Sequence, residues 1–471
     1  MSGCDAAPDL IENRTLDELA IGDSAEMVRV LAMSDIELFA VMSGDVNPAH
    51  LDAAYADETQ FHHVIAHGMW GGALISAVLG TRLPGPGTIY IDQSLHFQRP
   101  VAIGDTITVR VTVAGIDHET GRVTLDCQCR NQHDKVVIAG QAEVLAPRVK
   151  VRRAVTTLPM VRMHNPGARF GELVDRARAL PPLPTAVVHP CDALSLVGAL
   201  QAEGAGLIDP IWVGPRARIL ATAAEAGVRL DPDRIVDAPH SHGAAEAAVA
   251  LVRSGRAQAL MKGKLHTDEL LEAVLDRTLG LRTERRLSHV FALDVPDHAR
   301  TLFITDAAIN IAPDLTTLTD IVQNAIDLAL ALGIETPRVA LLSAVETVTA
   351  KLPSTLLAAA ICKMHHRGQI TGGLVDGPLA FDNAISPEAV AAKGIVSDVA
   401  GRADILVAPN LESANMIAKQ LIHLARAEAA GVALGASVPI MLTSRSDSTA
   451  ARLASAALAR LLAAAVPVEG V

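Results

Sequence analysis

The sequence predicts two folded regions of different class: an α+β region in which an antiparallel sheet wraps around one central helix, then an α/β region of parallel strands covered by helices. Three observations carry that reading. Residues 88–146 run as strands in series, TIYIDQSLHFQRP, DTITVRVTVAGID, RVTLDCQCRN and KVVIAGQAEVLA, with partial two-residue alternation and turn residues between them. The segment GMWGGALISAVLG before them is apolar, long and rich in small residues, as a helix lying close against a sheet requires. After Thr185, short apolar strands (TAVVH, DPIWVG, DRIVDA, QALMKG, HVFAL, TLFITD, RVALLS, ITGGLVDG, ADILVAP, VPIMLTS) alternate with alanine-rich amphipathic segments, the rhythm of parallel sheets with helices on both faces.

Between the two regions, Pro147 to Pro184 is basic and proline-bearing, with one short helix predicted at RFGELVDRARAL. The expected organisation is a first domain over 1–150, a linker over 151–166 and a second domain over 167–471. A chain of 471 residues has room for both cores, at roughly 150 residues per domain.

Lys plus Arg is 40 against 52 for Asp plus Glu, a net charge of −12, which argues against a polyanion binder. Aromatics at 2% leave no stacking surface for single strands, so nucleic acid is not an expected partner. Cys4, Cys127, Cys129, Cys191 and Cys362 are too scattered for a disulfide framework or a zinc ribbon and read as reduced thiols. The acidic amino terminus lacks the basic-then-apolar order of a signal peptide, which points to the cytoplasm. The longest uncharged run, Val64 to Thr81, contains His67 and several glycines and reads as a buried helix, so no membrane contact is expected.

Two stretches carry chemistry. In Ser43-Gly44-Asp45-Val46-Asn47-Pro48-Ala49-His50-Leu51-Asp52, Asn47 is a good N-cap and Pro48 suits the first helical position. Asp45 then sits on the loop and His50 on the first turns, a carboxylate and an imidazole able to share one water. Gly68 opens the central helix, where unpaired backbone N–H groups could hold a developing enolate oxygen. His62, His63, His67 and His96 show no ligand spacing, so a structural role is expected and no metal. The second stretch, Met261-Lys262-Gly263-Lys264 with Arg282 to His289, concentrates cations suited to phosphate on an otherwise acidic chain.

Residues 30–145 resemble the MaoC-type hot-dog domain of the R-specific enoyl-CoA hydratases, through S-G-D-V-N-P-A-H-L-D, I-A-H-G-M and Y-I-D-Q-S-L-H-F-Q-R-P-V. The resemblance implies syn addition of water to a trans-2-enoyl thioester, giving the (R)-3-hydroxyacyl thioester. His50 would take the water proton, Asp45 would protonate the α-carbon, the Gly68 N–H would hold the thioester oxygen, and Asn47 would orient the loop. A hot-dog thioesterase is the rival chemistry. Such domains generally complete their site with a second copy, so a homo-oligomer, at least a dimer, is expected.

Residues 165–471 resemble the phosphate acetyl/butyryltransferase family through A-L-M-K-G-K-L-H-T, R-L-S-H-V, T-D-A-A-I-N-I-A-P, G-G-L-V-D-G-P-L-A-F-D-N-A-I-S, A-D-I-L-V-A-P-N-L-E-S-A-N-M-I-A-K-Q-L and P-I-M-L-T-S-R-S-D-S. That resemblance implies two α/β subdomains of isocitrate-dehydrogenase-like type with a cleft between them. The implied reaction joins acyl-CoA and phosphate to give acyl phosphate and CoA, with these as substrates and no tightly bound cofactor. Arg286 would grip phosphate, and Ser444 and Arg445 would stabilise the transferring group. Lys262, Lys264, Asn310, Asp382, Asn415 and Lys419 would line the site. Ala451 stands where acetyl-specific members carry an aspartate thought to deprotonate the CoA thiol, so Asp447, or else Asp376 or Asp382, is the expected substitute. The T-S-R-S-D-S form and the Lys-Gly-Lys element resemble the butyryl-type branch, implying a short-chain acyl group broader than acetyl. The alternative is a hydratase joined to an inactive acyl-CoA-binding or assembly module.

Overall fold

The computed structural model describes residues 10–159, 161, 167–442 and 448–465. The chain divides into two compact units, residues 1–163 and 164–471.

In the first unit the strands are β1 (Leu10–Glu12), β2 (Ser24–Val30), β3 (Ile89–Gln93), β4 (His96–Phe97), β5 (Thr106–Asp117), β6 (Arg122–Arg130), β7 (Val136–Leu145) and β8 (Arg152–Ala154). The main sheet runs β2-β5-β6-β7-β3, antiparallel throughout, with β4 also on β7. The two-residue alternation read from the sequence buries Ile107, Val109, Val111 and Val113 of β5 and Val123, Leu125, Cys127 and Cys129 of β6. These pack in one cluster with Trp70, Ile75, Val78 and Leu79 of the helix Gly68–Thr81. Gly71 permits that closeness, since a Cβ there would lie 2.3 Å from Ile138 Cδ1; within the sheet Gly140 does the same for the Ser94 backbone, whose carbonyl oxygen a Cβ would meet at 1.9 Å.

Part of the expected linker belongs to this unit. β8 pairs antiparallel with β1, and buried Asn13 ties both ends of the unit by donating to the Pro86 and Val149 carbonyls and accepting from Val151 N–H. Two of the basic residues here meet acids, Lys150 with Glu12 at 3.0 Å and Glu18 at 2.8 Å and Arg152 with Glu12 at 3.7 Å, while Arg148 donates to the His118 carbonyl.

The second unit carries β9 (Leu183–Val188), β10 (Ile208–Gly214), β11 (Ile235–Asp237), β12 (Ala259–Lys262), β13 (Ser288–Asp294), β14 (Leu302–Thr305), β15 (Arg338–Leu342), β16 (Leu374–Leu379), β17 (Ile405–Val407), β18 (Glu428–Leu434) and β19 (Ile440–Met441). Among the described residues they form one sheet in the order β11-β10-β9-β12-β19-β18-β13-β14-β17-β15-β16. Its two wings are parallel, as the βα rhythm predicts, but β19, β18, β13 and β14 pair antiparallel and join the wings into one sheet. The all-parallel expectation is therefore corrected at the centre. β18 was absent from the strands picked out by pattern because Glu-Ala-Ala-Gly-Val-Ala-Leu has poor strand propensity; burial between two neighbours decides it. The short helix predicted before this sheet forms as Ala168–Arg178. No helix among the described residues is long and apolar enough to cross a membrane.

Candidate active sites

The helix Met33–Ser43 stops at Gly44, which takes φ +77° and returns its N–H to the Ala40 carbonyl. A run of side-chain turns then shapes the next loop. Ser43 Oγ accepts from Asp45 N–H at 3.2 Å, Asp45 Oδ1 accepts from Asn47 N–H at 3.2 Å, and Asn47 Oδ1 accepts from Ala49 N–H at 3.1 Å. Asn47 thus caps the short helix Pro48–Leu51, as read from its sequence, and His50 leaves that helix toward the central one.

His50 Nδ1 lies 2.8 Å from the Ile65 carbonyl oxygen. A carbonyl only accepts, so Nδ1 carries the proton and Nε2 presents a lone pair. One potential ligand or proton-transfer atom from each of Asp45, His50 and His67 lies within 4.8 Å of the others. Gly68 follows at the first position of the central helix, where its N–H has no intrahelical acceptor. His50, His67 and Gly68 line a cavity of about 320 Å³ whose other walls include Trp70, Phe97, Ile107, Cys129, Val137 and Ile138. This is an apolar pocket with a few polar groups at one end, the form that suits an acyl chain. Burial pushes the Cys129 thiol up to about 12, so it is an inert neutral wall.

The Asp45–His50–His67 set is also the arrangement that could hold a cation. One nitrogen of each ring is turned to a carbonyl oxygen, a contact that orients the ring equally for proton transfer and for holding a cation. Spacing alone places His67 with the structural histidines; it stands directly before Gly68 in I-A-H-G-M, and the structure brings it beside Asp45 and His50. His62 instead turns Nδ1 to the Asp57 carbonyl.

In the second unit, three of the expected residues lie on segments tied to one another near the start of β13 and the end of β14. Arg286 is exposed, its N–H donates to Asp320 Oδ2 at 3.0 Å, and its carbonyl accepts from Asn324 Nδ2 at 3.0 Å. Asn310 Nδ2 donates to the Leu287 carbonyl at 2.8 Å and to Asp306 Oδ2 at 2.6 Å, and Asn415 Nδ2 donates to the Ala307 carbonyl at 3.1 Å. Asp306 is the buried anchor of this loop, also accepting from the N–H groups of Ala308, Ile309 and Asn310. The backbone of Gly435, at φ +96°, comes so near that a Cβ would lie 2.3 Å from the Arg286 carbonyl oxygen. His289, fully enclosed behind this site, is pushed down to about 4 by burial, with the nearby Asp306 charge opposing.

Lys262 and Lys264 sit at the end of β12, where Lys262 Nζ donates to the Leu265 carbonyl at 3.3 Å and Lys264 is exposed. Leu265 and Leu287, the residues after Lys264 and Arg286, are buried in the same apolar cluster. Asp382 is exposed, 4.0 Å from Lys393, and Lys419 is an exposed residue one turn beyond Asn415. Ser444, Arg445 and Asp447 lie outside the described residues. Ala451 is buried on the helix Thr449–Ala465. Asp376, one candidate base, instead accepts from Gly377 N–H and Ser397 Oγ, which commits its carboxylate to the local backbone.

Residues 240–460 match the family pattern described as phosphate acetyl/butaryl transferase, and residues 18–136 match the MaoC like domain. A phosphate acetyltransferase of Rhizobium meliloti is 61% identical over 297 residues, covering 63% of this chain and 94% of that protein. A branched-chain phosphotransacylase from Enterococcus faecalis V583, solved as a crystal structure, is 33% identical over 59% of this chain and 99% of its own, with a TM-score of 0.51. The R-hydratase PhaJ1 from Pseudomonas aeruginosa, in its unliganded form, is 45% identical over 33% of this chain and 100% of its own, with a TM-score of 0.32. The chain is therefore a fusion of a MaoC-like hot-dog unit with an α/β phosphotransacylase unit. It belongs to the phosphate acetyl/butyryltransferase family.

Proposed function

We propose that the chain is a bifunctional enzyme, an enoyl-CoA hydratase joined to a short-chain phosphate acyltransferase, working in the cytoplasm. For the hydratase the supporting observation is the His50 tautomer: the bond to the Ile65 carbonyl leaves Nε2 free as a base on a ring that lines an apolar cavity and clusters with Asp45. In the proposed step, His50 Nε2 takes a proton from water as the water oxygen adds to C3 of the enoyl thioester. Asp45 delivers a proton to C2, and the Gly68 N–H holds the charge that develops on the thioester oxygen. Proton return from His50 to Asp45 resets the pair.

For the acyltransferase, the reading rests on family membership together with the Arg286, Asn310 and Asn415 cluster. A phosphate oxygen attacks the thioester carbonyl, the C–S bond breaks, and CoA leaves as thiolate, which takes up the proton that the attacking phosphate gives up. Arg286 and Arg445 balance the charge, and Ser444 donates to the oxygens. Asp447 is the proposed carrier of that proton, and the base toward the CoA thiol in the reverse direction, with Asp382 the alternative, since Asp376 already accepts from Gly377 N–H and Ser397 Oγ and Ala451 cannot serve. The buried alanine at 451 also favours a second reading, in which this unit binds acyl-CoA without turning it over.

Assay of the full chain against a series of acyl-CoA and enoyl-CoA lengths, with and without phosphate or arsenate, tests both halves. Arsenate-dependent cleavage that is lost in Arg445→Ala supports the transferase; CoA binding without phosphate-dependent cleavage supports the second reading. Loss of enoyl absorbance that disappears in Asp45→Asn supports the hydratase. We further infer a homo-oligomer of at least two chains, because edge strand β3 presents Ile89, Tyr90 and Ile91 to solvent beside exposed Phe97. A monomeric mass by sedimentation would contradict it.

A further inference from the structure

We propose that His67 is a positioning residue of the hydration site, a role that rests on the hydratase reading above. Its ring is almost fully buried, at 3% exposure. Nε2 lies 3.0 Å from the backbone carbonyl oxygen of Asp45. Because that oxygen can only accept, Nε2 holds the proton and donates, and Nδ1 is left as a bare acceptor, buried with no hydrogen-bond partner among the described residues. One neutral tautomer satisfies this arrangement.

The ring also packs on His50, with centroids 4.0 Å apart and planes tilted by 37°, and on Phe39 at 4.9 Å. Its backbone is the N-cap of the helix that begins at Gly68. A single buried side chain therefore touches the loop of the acid and the ring of the base, from the residue that precedes the oxyanion donor. The Asp45 loop otherwise rests on short-range turn bonds through Ser43 and Asn47, and the Asp45 side chain is 51% exposed. Such a loop can shift without unfolding anything. A misplacement of about 1 Å between reacting groups costs on the order of 100-fold in rate.

A packing role would need only the volume of the ring. A positioning role needs the N–H. His67→Gln keeps an amide donor that reaches the Asp45 carbonyl, whereas His67→Met has similar length and no donor. In the full chain, His67→Met is expected to lower kcat for crotonyl-CoA hydration by about 30-fold or more with KM changed less than about threefold, and His67→Gln to recover most of it. The thermal transition of the first unit reports folding in both. Equal kcat for the two folded variants, or a change confined to KM, overturns the proposal.

Where neither variant folds, nitrogen-15 spectra of the unaltered protein decide. The expected signature is a neutral His67 protonated at Nε2, with that proton slow to exchange. A proton at Nδ1 or a rapidly exchanging Nε2–H overturns the assignment. Absence of hydration by the unaltered protein, with that signature present, removes the hydratase reading and the catalytic role with it; hydration by the unaltered protein but not by Asp45→Asn keeps the hydratase reading, and the tautomer and exchange of His67 then decide its role.

Discussion

Replacing His50 by asparagine separates the two jobs that the imidazole performs. In the structure Nδ1–H donates to the Ile65 carbonyl at 2.8 Å, and an asparagine amide can make that bond from a similar position. What it cannot offer is a basic nitrogen where Nε2 stands. General base catalysis contributes roughly 10²–10⁴ in rate, so the variant is expected to lose about 3–5 kcal/mol of transition-state stabilisation. The structural loss is smaller. His50 is only half-buried, and the main contact forfeited is the ring packing against His67, a cost of about 1 kcal/mol and a few degrees in the transition of the first unit. The assay is loss of enoyl absorbance with crotonyl-CoA, with circular dichroism and melting in parallel. Activity within tenfold of the unaltered protein would refute His50 as the base; lost activity accompanied by loss of fold would refute the claim that the Ile65 bond can be preserved.

Three further outcomes follow from the same geometry. Gly140→Ala sets a Cβ against a backbone oxygen with no flexible neighbour to yield, and should destabilise the first unit by more than about 2 kcal/mol, whereas Gly80→Ala, in open space on the central helix, should raise stability by up to about 1 kcal/mol; thermal melts that rank them the other way would contradict the packing. The buried His289 is held at about 4 against an ordinary 6.5, so the folded state resists a proton that the unfolded state accepts. The second unit should therefore lose stability as pH falls from 6.5 towards 4, by at most about 3 kcal/mol, and a slope unchanged in His289→Gln would exclude this residue as its source. Because Asp45 and His50 are read as acid and base and His67 as the residue that positions them, exhaustive chelation should leave hydration unaltered; activity lost on chelation and restored by a divalent ion would reassign them as ligands.

Local patterns in the sequence were enough for much of this architecture. Alternation in 106–130 defines which faces of β5 and β6 are buried, because a strand side chain can only point to one side or the other. Asn47-Pro48 announces its helix because a cap and a first-turn proline act within three residues. Asp45, His50 and Gly68 can be picked out as a candidate site because short motifs carry them.

Long-range contacts decided the rest. β18 is a strand through burial between β13 and β19, against the preference of its alanines. His67 is brought beside Asp45 and His50 by a bond to a carbonyl 22 residues earlier and a ring contact 17 residues earlier in the chain (67 − 45 = 22; 67 − 50 = 17). The charges of Lys150 and Arg152 look free in one dimension, yet Glu12 and Glu18 meet them across the closing ribbon of the first unit. Propensity and periodicity act over a few residues and are written in the chain. Pairing, tautomer and charge matching depend on which distant groups arrive beside one another, and only folding brings them together.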